Sequence, residues 1–187
     1  DFPYGEVTYT GEPAPAVLQA DPDKTVASEC YSMSKSYNMG GFRVGYAIGN
    51  AQLIAALRQV KAVIDFNQYP GIVQGAIAAL SGSQDGVAHT VKTFQQRRDT
   101  FVDALGRIGW SIEKPEATQY LWLKLPDPWA EDSINFCVRL VETTGVALAP
   151  GRGFGKYGEG YVRVALVQQP DVLETAVQKI QHFLKTA

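Results

Sequence analysis

The 187 residues are 45% hydrophobic, 19% charged and 11% aromatic, which supplies a sizeable core and argues against a disordered chain. Lys and Arg number 17 against 19 Asp and Glu, a net charge of -2 with no long run of either sign, which argues against a dedicated nucleic-acid binder. Cys30, Cys137, His89 and His182 stand at no metal-ligand spacing, so neither a metal site nor a disulfide scaffold is expected, and a reduced, cytoplasmic setting fits.

Every apolar stretch is broken by polar residues short of a membrane span, and the first residues do not resemble a signal peptide. Asp1 stands in place of an initiator methionine, which reads as a chain entered in the middle. Residues 1–9 and 25–31 read as extended segments, joined by a Pro- and Asp-rich connection over 10–24 in which helix is disfavoured. The run 42–48, flanked by glycines, suits a strand buried on both faces. A helix follows from Asn50, its N-cap, with Leu53, Ile54, Leu57, Val60 and Ile64 on one face, and stops near 67–70. A second helix over 72–80 is apolar nearly all round, which argues burial. A long amphipathic helix spans 87–108. Beyond it short strands at 110–112, 120–125 and 161–167 alternate with helices over 133–144 and 170–184. A domain boundary is placed near Ser83, giving a unit over 1–82 and a smaller α/β unit over 83–187.

The segment richest in chemistry is Ser32-Met33-Ser34-Lys35-Ser36-Tyr37-Asn38-Met39-Gly40-Gly41-Phe42-Arg43. A lysine amine condenses with an aldehyde to a Schiff base, while serine hydroxyls and a forked guanidinium suit a phosphate dianion. Together they would hold an aldehyde-bearing phosphate ester, for which pyridoxal 5'-phosphate is the obvious candidate. Near the other end Arg163 lies inside the otherwise apolar strand Tyr161-Val162-Arg163-Val164-Ala165-Leu166-Val167, and a guanidinium buried there needs an anion.

These motifs resemble the fold-type I pyridoxal-phosphate aminotransferases of classes I and II, in the subgroup with the alanine, aspartate and LL-diaminopimelate enzymes. Ser-x-Ser-Lys followed by Arg eight residues later is that family's cofactor-lysine signature, and Asp1-Phe2-Pro3-Tyr4 matches its upstream Asp-x-x-Tyr. The resemblance implies that Lys35 is the catalytic lysine carrying the cofactor, that Ser32, Ser34 and Arg43 hold its phosphate, that Asp1 pairs with the ring nitrogen and that Tyr4 bonds the ring hydroxyl oxygen. It implies that Arg163, behind the loop Gly-Phe-Gly-Lys-Tyr-Gly-Glu-Gly over 153–160, grips the substrate carboxylate. The expected fold is α/β: the truncated end of the large cofactor domain, then the complete small domain. The expected partners are amino acid and 2-oxo acid substrates and, in the intact protein, a second copy in a homodimer.

Blander readings stand beside these. Lys35 as a solvated lysine in a Ser-rich turn loses weight once Arg43 and the glycines fall in register. Arg163 could instead pair with Glu159, Asp1 could be only a solvated chain end, the glycines of 151–158 read as a flexible loop, and Tyr120 and Trp122 as core or pocket-wall aromatics. Carbon–sulfur lysis on the same scaffold and a noncatalytic fragment are the alternative functions. No ligand for a substrate side chain is identifiable.

Overall fold

The computed structural model describes residues 1–186, and the chain divides into two compact units, residues 1–92 and 93–187. In the first, strands β1 (Ser28–Ser32) and β2 (Gly45–Gly49) pair antiparallel, from Ser28 opposite Gly49 to Ser32 opposite Gly45. Gly45 is required by the close approach: a Cβ there would stand 2.4 Å from the Tyr31 carbonyl oxygen. The strand prediction over 42–48 therefore needs correction. Residues 40–42 form a 3₁₀ turn, Arg43 adopts a left-handed conformation, and β2 is exposed or half-buried along its length.

The opening segment is not extended either. It turns at 3–6, Val7 is buried, and the Phe2 N–H donates to the Cys30 carbonyl at 2.7 Å, which fastens the segment to β1. The connection expected to lack helix contains one turn, α1 (Val17–Ala20). Proline restricts the residue before it, so the chain is released after Pro15, and the Ala16 N–H then donates to the Gln19 side chain at 3.2 Å. Asp21 holds the following loop, its carboxylate accepting from the backbone N–H groups of Val26, Thr25 and Ala27 and from the Thr25 hydroxyl. These bonds, Val26 first, hold that carboxyl well below the usual range.

Helix α2 (Ala51–Ile64) is capped as read: the Asn50 side-chain oxygen accepts from the N–H groups of Gln52 and Leu53. Its apolar stripe is nonetheless exposed, with Leu53 at 51% and Leu57 at 46% of full accessibility. The same holds for α3 (Pro70–Ser81), where burial was expected and only Ala76 is buried. The physical reason is the small core of this unit, in which Met33, Val44 and Ala76 are buried with Tyr37, Met39, Tyr46, Ile72 and Ala79 packed around them. One side of α3 finds that cluster. Ile77 and Leu80 face away from any described partner in it and remain exposed.

Helix α4 (Asp85–Arg107) contributes to both units. In the second unit the strands run in the order β3 (Tyr120–Lys124), β5 (Tyr161–Ala165), β4 (Ala149–Pro150), all antiparallel, with Trp122 opposite Arg163. Strand alternation gives this sheet two chemically distinct faces. Leu121, Leu123, Val162 and Val164 enter a core with Phe101 and Leu105 of α4, Phe136 and Leu140 of α5 (Ser133–Thr144), and Val177, Ile180 and Phe183 of α6 (Pro170–Thr186). Asp132 caps α5, and Gly145 closes it in a left-handed conformation. Cys137 is buried there, which pushes its thiol up to about 11; both cysteines are free.

The strand expected at 110–112 does not form. Gly109 at φ +86° turns the chain out of α4, and Trp110 plugs the core, its indole N–H donating to the Lys124 carbonyl at 2.9 Å. Among the described residues no helix is long and apolar enough to cross a membrane. Phe136 is fully buried and meets the rings of Trp110, Trp129 and Phe183 edge-on. Phe136→Ala should therefore cost about 3–5 kcal/mol, whereas Leu57→Ala should cost about 1 kcal/mol or less. Urea unfolding of the 187-residue chain measures both.

Candidate active site

The pairing of β1 with β2 decides where the chemistry goes. Ser32 ends β1 and Gly45 begins β2 opposite it, so the twelve intervening residues must fold back on themselves. They do so by backbone bonds: Met33 N–H to the Val44 carbonyl at 3.2 Å, Met39 N–H to the Met33 carbonyl at 3.1 Å, and Asn38 N–H to the Lys35 carbonyl at 3.4 Å. Asn38 and Arg43 both take left-handed conformations in this turn. Met33 is buried at 1% and anchors the turn from below, while the Asn38 side chain donates to the buried Thr90 hydroxyl at 3.0 Å and the Tyr37 hydroxyl to Gln84 at 2.9 Å. The buried Ser36 hydroxyl donates to Glu6, tying the opening segment to the same turn.

Two groupings of polar side chains result. In one, the Ser34 N–H donates to the Ser32 hydroxyl at 3.1 Å, and Arg43 Nη1 lies 3.0 Å from the Gly40 carbonyl and 3.5 Å from the Ser34 hydroxyl. In the other, Lys35 Nζ stands over the Tyr4 ring, 5.7 Å from its centre. Among the described residues neither Lys35 nor Arg43 is ion-paired with a carboxylate. A guanidinium beside serine hydroxyls offers donors and positive charge, the set a phosphate dianion requires; a lysine amine free of a salt bridge is the set an aldehyde requires. Asp1 is exposed, next to the Phe2 that is bonded to β1. Of the residues singled out in the sequence, the structure thus brings Tyr4 to Lys35, Ser34 to Arg43, and Ser32 to the Ser34 backbone.

Arg163 belongs to the second unit, on the sheet face opposite the core, half-buried. Its guanidinium carbon lies 4.5 Å from the Tyr120 ring centre and 4.5 Å from that of Phe154. The alternative pairing with Glu159 is not formed. Glu159 accepts instead from the backbone N–H of Ser133, at the start of α5, at 2.7 Å and from that of Gly160 at 3.1 Å. The loop it closes, expected to be flexible, is folded into two 3₁₀ turns, Gly151–Phe154 and Lys156–Gly158. Those turns touch so closely that a Cβ on Gly158 would stand 2.0 Å from the Gly151 carbonyl oxygen.

The sequence reading took Tyr120 and Trp122 as core or pocket-wall aromatics without tying either to Arg163, and it did not single out Phe154. For Tyr120 the signal was available, because on an antiparallel pair a residue's diagonal neighbours share its face. For Phe154 it was not, since its place depends on how the glycine loop folds.

Residues 1–180 match the model of the aminotransferase class I and II family, and the chain belongs to that family. It is 40% identical over 184 residues to the LL-diaminopimelate aminotransferase of Moorella thermoacetica, covering 98% of this chain and 47% of that protein. It is 37% identical over 186 residues to the glutamate-pyruvate aminotransferase AlaC of Escherichia coli, covering 99% of this chain and 45% of that protein. Among solved structures, a probable N-succinyldiaminopimelate aminotransferase from Thermus thermophilus superposes with a TM-score of 0.88 at 42% identity, over 96% of this chain and 48% of that one. Substrate-bound BacF from Bacillus subtilis gives 0.92 at 34% identity, over 98% and 46%. The chain spans about half the length of the curated relatives it matches. The α/β fold is that of part of an aminotransferase.

The bonds to Ser133, then that to Gly160, hold the Glu159 carboxyl below its ordinary 4.5. A lowered folded-state value contributes stability that is present above the ordinary value and lost as the pH falls through the folded one. Amide exchange at Ser133 and Gly160 should accordingly lose protection on acidification from pH 5 towards pH 3, and Glu159→Gln should flatten that dependence.

Proposed function

We propose that the chain is the lysine-bearing part of a pyridoxal-phosphate-dependent aminotransferase that exchanges an amino group between an amino acid and a 2-oxo acid. The observation that carries this reading is the turn between β1 and β2, which carries Ser32, Ser34, Lys35 and Arg43 on one short segment, with Ser34 bonded to Ser32 and to Arg43 and the lysine amine, in no salt bridge, over the Tyr4 ring. When bound, pyridoxal phosphate supplies an aldehyde and an electron-withdrawing ring that stabilises negative charge at a substrate α-carbon. Arg43, Ser32 and Ser34 would hold the phosphate by charge-assisted bonds. Tyr4 would meet the ring hydroxyl oxygen, and Asp1 would keep the ring nitrogen protonated.

Lys35 has two tasks in this reading. Its amine would hold the cofactor aldehyde, and when not so engaged it would act as the base that takes the proton from the substrate α-carbon and as the acid that delivers it back. Arg163 would hold the substrate carboxylate by two parallel N–H bonds. The names of the relatives, LL-diaminopimelate and glutamate-pyruvate aminotransferases, support an amino acid donor and a 2-oxo acid acceptor. The domain reading follows the same line: residues 1–82 belong to a large cofactor domain and residues 83–187 form the small domain, within a homodimeric cytoplasmic enzyme.

Borohydride reduction of the cofactor-loaded full-length protein, followed by peptide mapping, should place the label on Lys35. Label on another lysine would refute the assignment. Arg43→Ala should weaken cofactor retention while leaving the reducible linkage at Lys35, as equilibrium dialysis and the same mapping would show. Products that contain a cleaved carbon–sulfur bond in place of a new amino acid would move the reaction to lysis.

Arg163→Lys keeps the charge but loses the planar fork. In the full-length protein it should raise KM for amino and 2-oxo acids alike and cost roughly 2–5 kcal/mol in kcat/KM if the carboxylate pair is desolvated, with cofactor affinity unchanged. Normal KM values with lost cofactor would assign Arg163 to the cofactor site.

A further inference from the structure

Four aromatic residues occupy the sheet face opposite the core of the second unit, and burial does not account for two of them. Trp122 is 46% exposed and Phe154 52% exposed. Tyr161 stacks on Trp122 at 5.6 Å and 13°, and Phe154 meets Trp122 edge-on at 5.5 Å and 80°. Arg163 lies among them, opposite Trp122 in the ladder and 4.5 Å from the centres of both the Tyr120 and Phe154 rings.

Such rings answer the charge of a guanidinium without accepting from its N–H groups in the way an oxygen does. Among the described residues Arg163 is in no ion pair with a carboxylate, and the contacts found for its guanidinium are those to the two rings. The long side chain is thus steadied by two π faces while its donors remain available. Phe154 can do this because its loop is pinned, by the close approach of Gly151 and Gly158 and by Glu159 bonded to the start of α5.

We propose that Tyr120 and Phe154 are positioning residues that clamp the Arg163 guanidinium and so preset it for two-oxygen recognition of a carboxylate. This rests on the reading of Arg163 as the substrate-carboxylate ligand. A preorganised fork loses less freedom when the anion binds, so the clamp acts on substrate affinity. It should act equally on amino and oxo acids, because both carry the same carboxylate.

The test uses the full-length, cofactor-loaded protein, with the amino acid and the 2-oxo acid it turns over fastest from the standard set. Phe154→Leu and Tyr120→Leu keep apolar bulk and remove the ring. Each should raise both KM values by a common factor of about three to thirty with kcat changed less than about twofold. Phe154→Tyr and Tyr120→Phe should restore wild-type KM. Two further measurements accompany these, Arg163→Lys kinetics and the melting temperature of every variant. If Arg163→Lys raises KM and the leucine variants do not, the clamp is wrong and the carboxylate role stands. If Arg163→Lys leaves KM unchanged, the carboxylate role falls and the clamp with it. A leucine variant that lowers kcat and melting temperature together, with KM unmoved, would make the ring a structural element and overturn the proposal.

Discussion

The first unit depends on the register that sets Ser32 opposite Gly45. Once those two residues face each other, the twelve between them must return within one strand spacing, and the chain achieves this by a 3₁₀ turn and two left-handed residues, Asn38 and Arg43. Left-handed conformations cost a non-glycine residue roughly 1–2 kcal/mol. Asn38 recovers part of that through its bond to Thr90, and Arg43 through its bond to the Gly40 carbonyl. The same bend that strains the backbone turns Arg43 towards Ser34. Geometry and chemistry are one event here.

The second unit rests on a different constraint, the alternation of an antiparallel sheet. With Leu121, Leu123, Val162 and Val164 committed to the core, Tyr120, Trp122, Tyr161 and Arg163 have only the other face available. The core therefore determines which residues surround the arginine. Its aromatic neighbours are a by-product of packing that the folded glycine loop then completes by bringing in Phe154.

Legibility in the sequence followed the range of the interactions. Asn50 as a cap, α5, α6 and the strands around 121–124 and 162–165 depend on spacing within a few residues, and they were readable. Lys35 and Arg43 share one segment because the turn that carries both is itself local. The misread elements depend on something distant. Residues 110–112 look like a strand until Trp110 is seen to fill a hole beneath Lys124, and 42–44 look like one until Gly45 is seen to abut Tyr31. Helix α3 reads as buried because composition reports what a surface would favour and cannot report what is there to cover it. The Tyr120 and Phe154 contacts to Arg163 needed both the sheet register and the loop fold.

The backbone contact between Gly151 and Gly158 also bears on how this region can vary over evolutionary time. Since no L-residue tolerates a carbonyl oxygen 2.0 Å from its Cβ, neither position can change by a single substitution without opening the loop. Arg152, Lys156 and Tyr157 are exposed and meet no such limit. Substitution in the loop is therefore least constrained at its exposed rim, where the surface beside Phe154 can change while the paired glycines keep the placement of its ring.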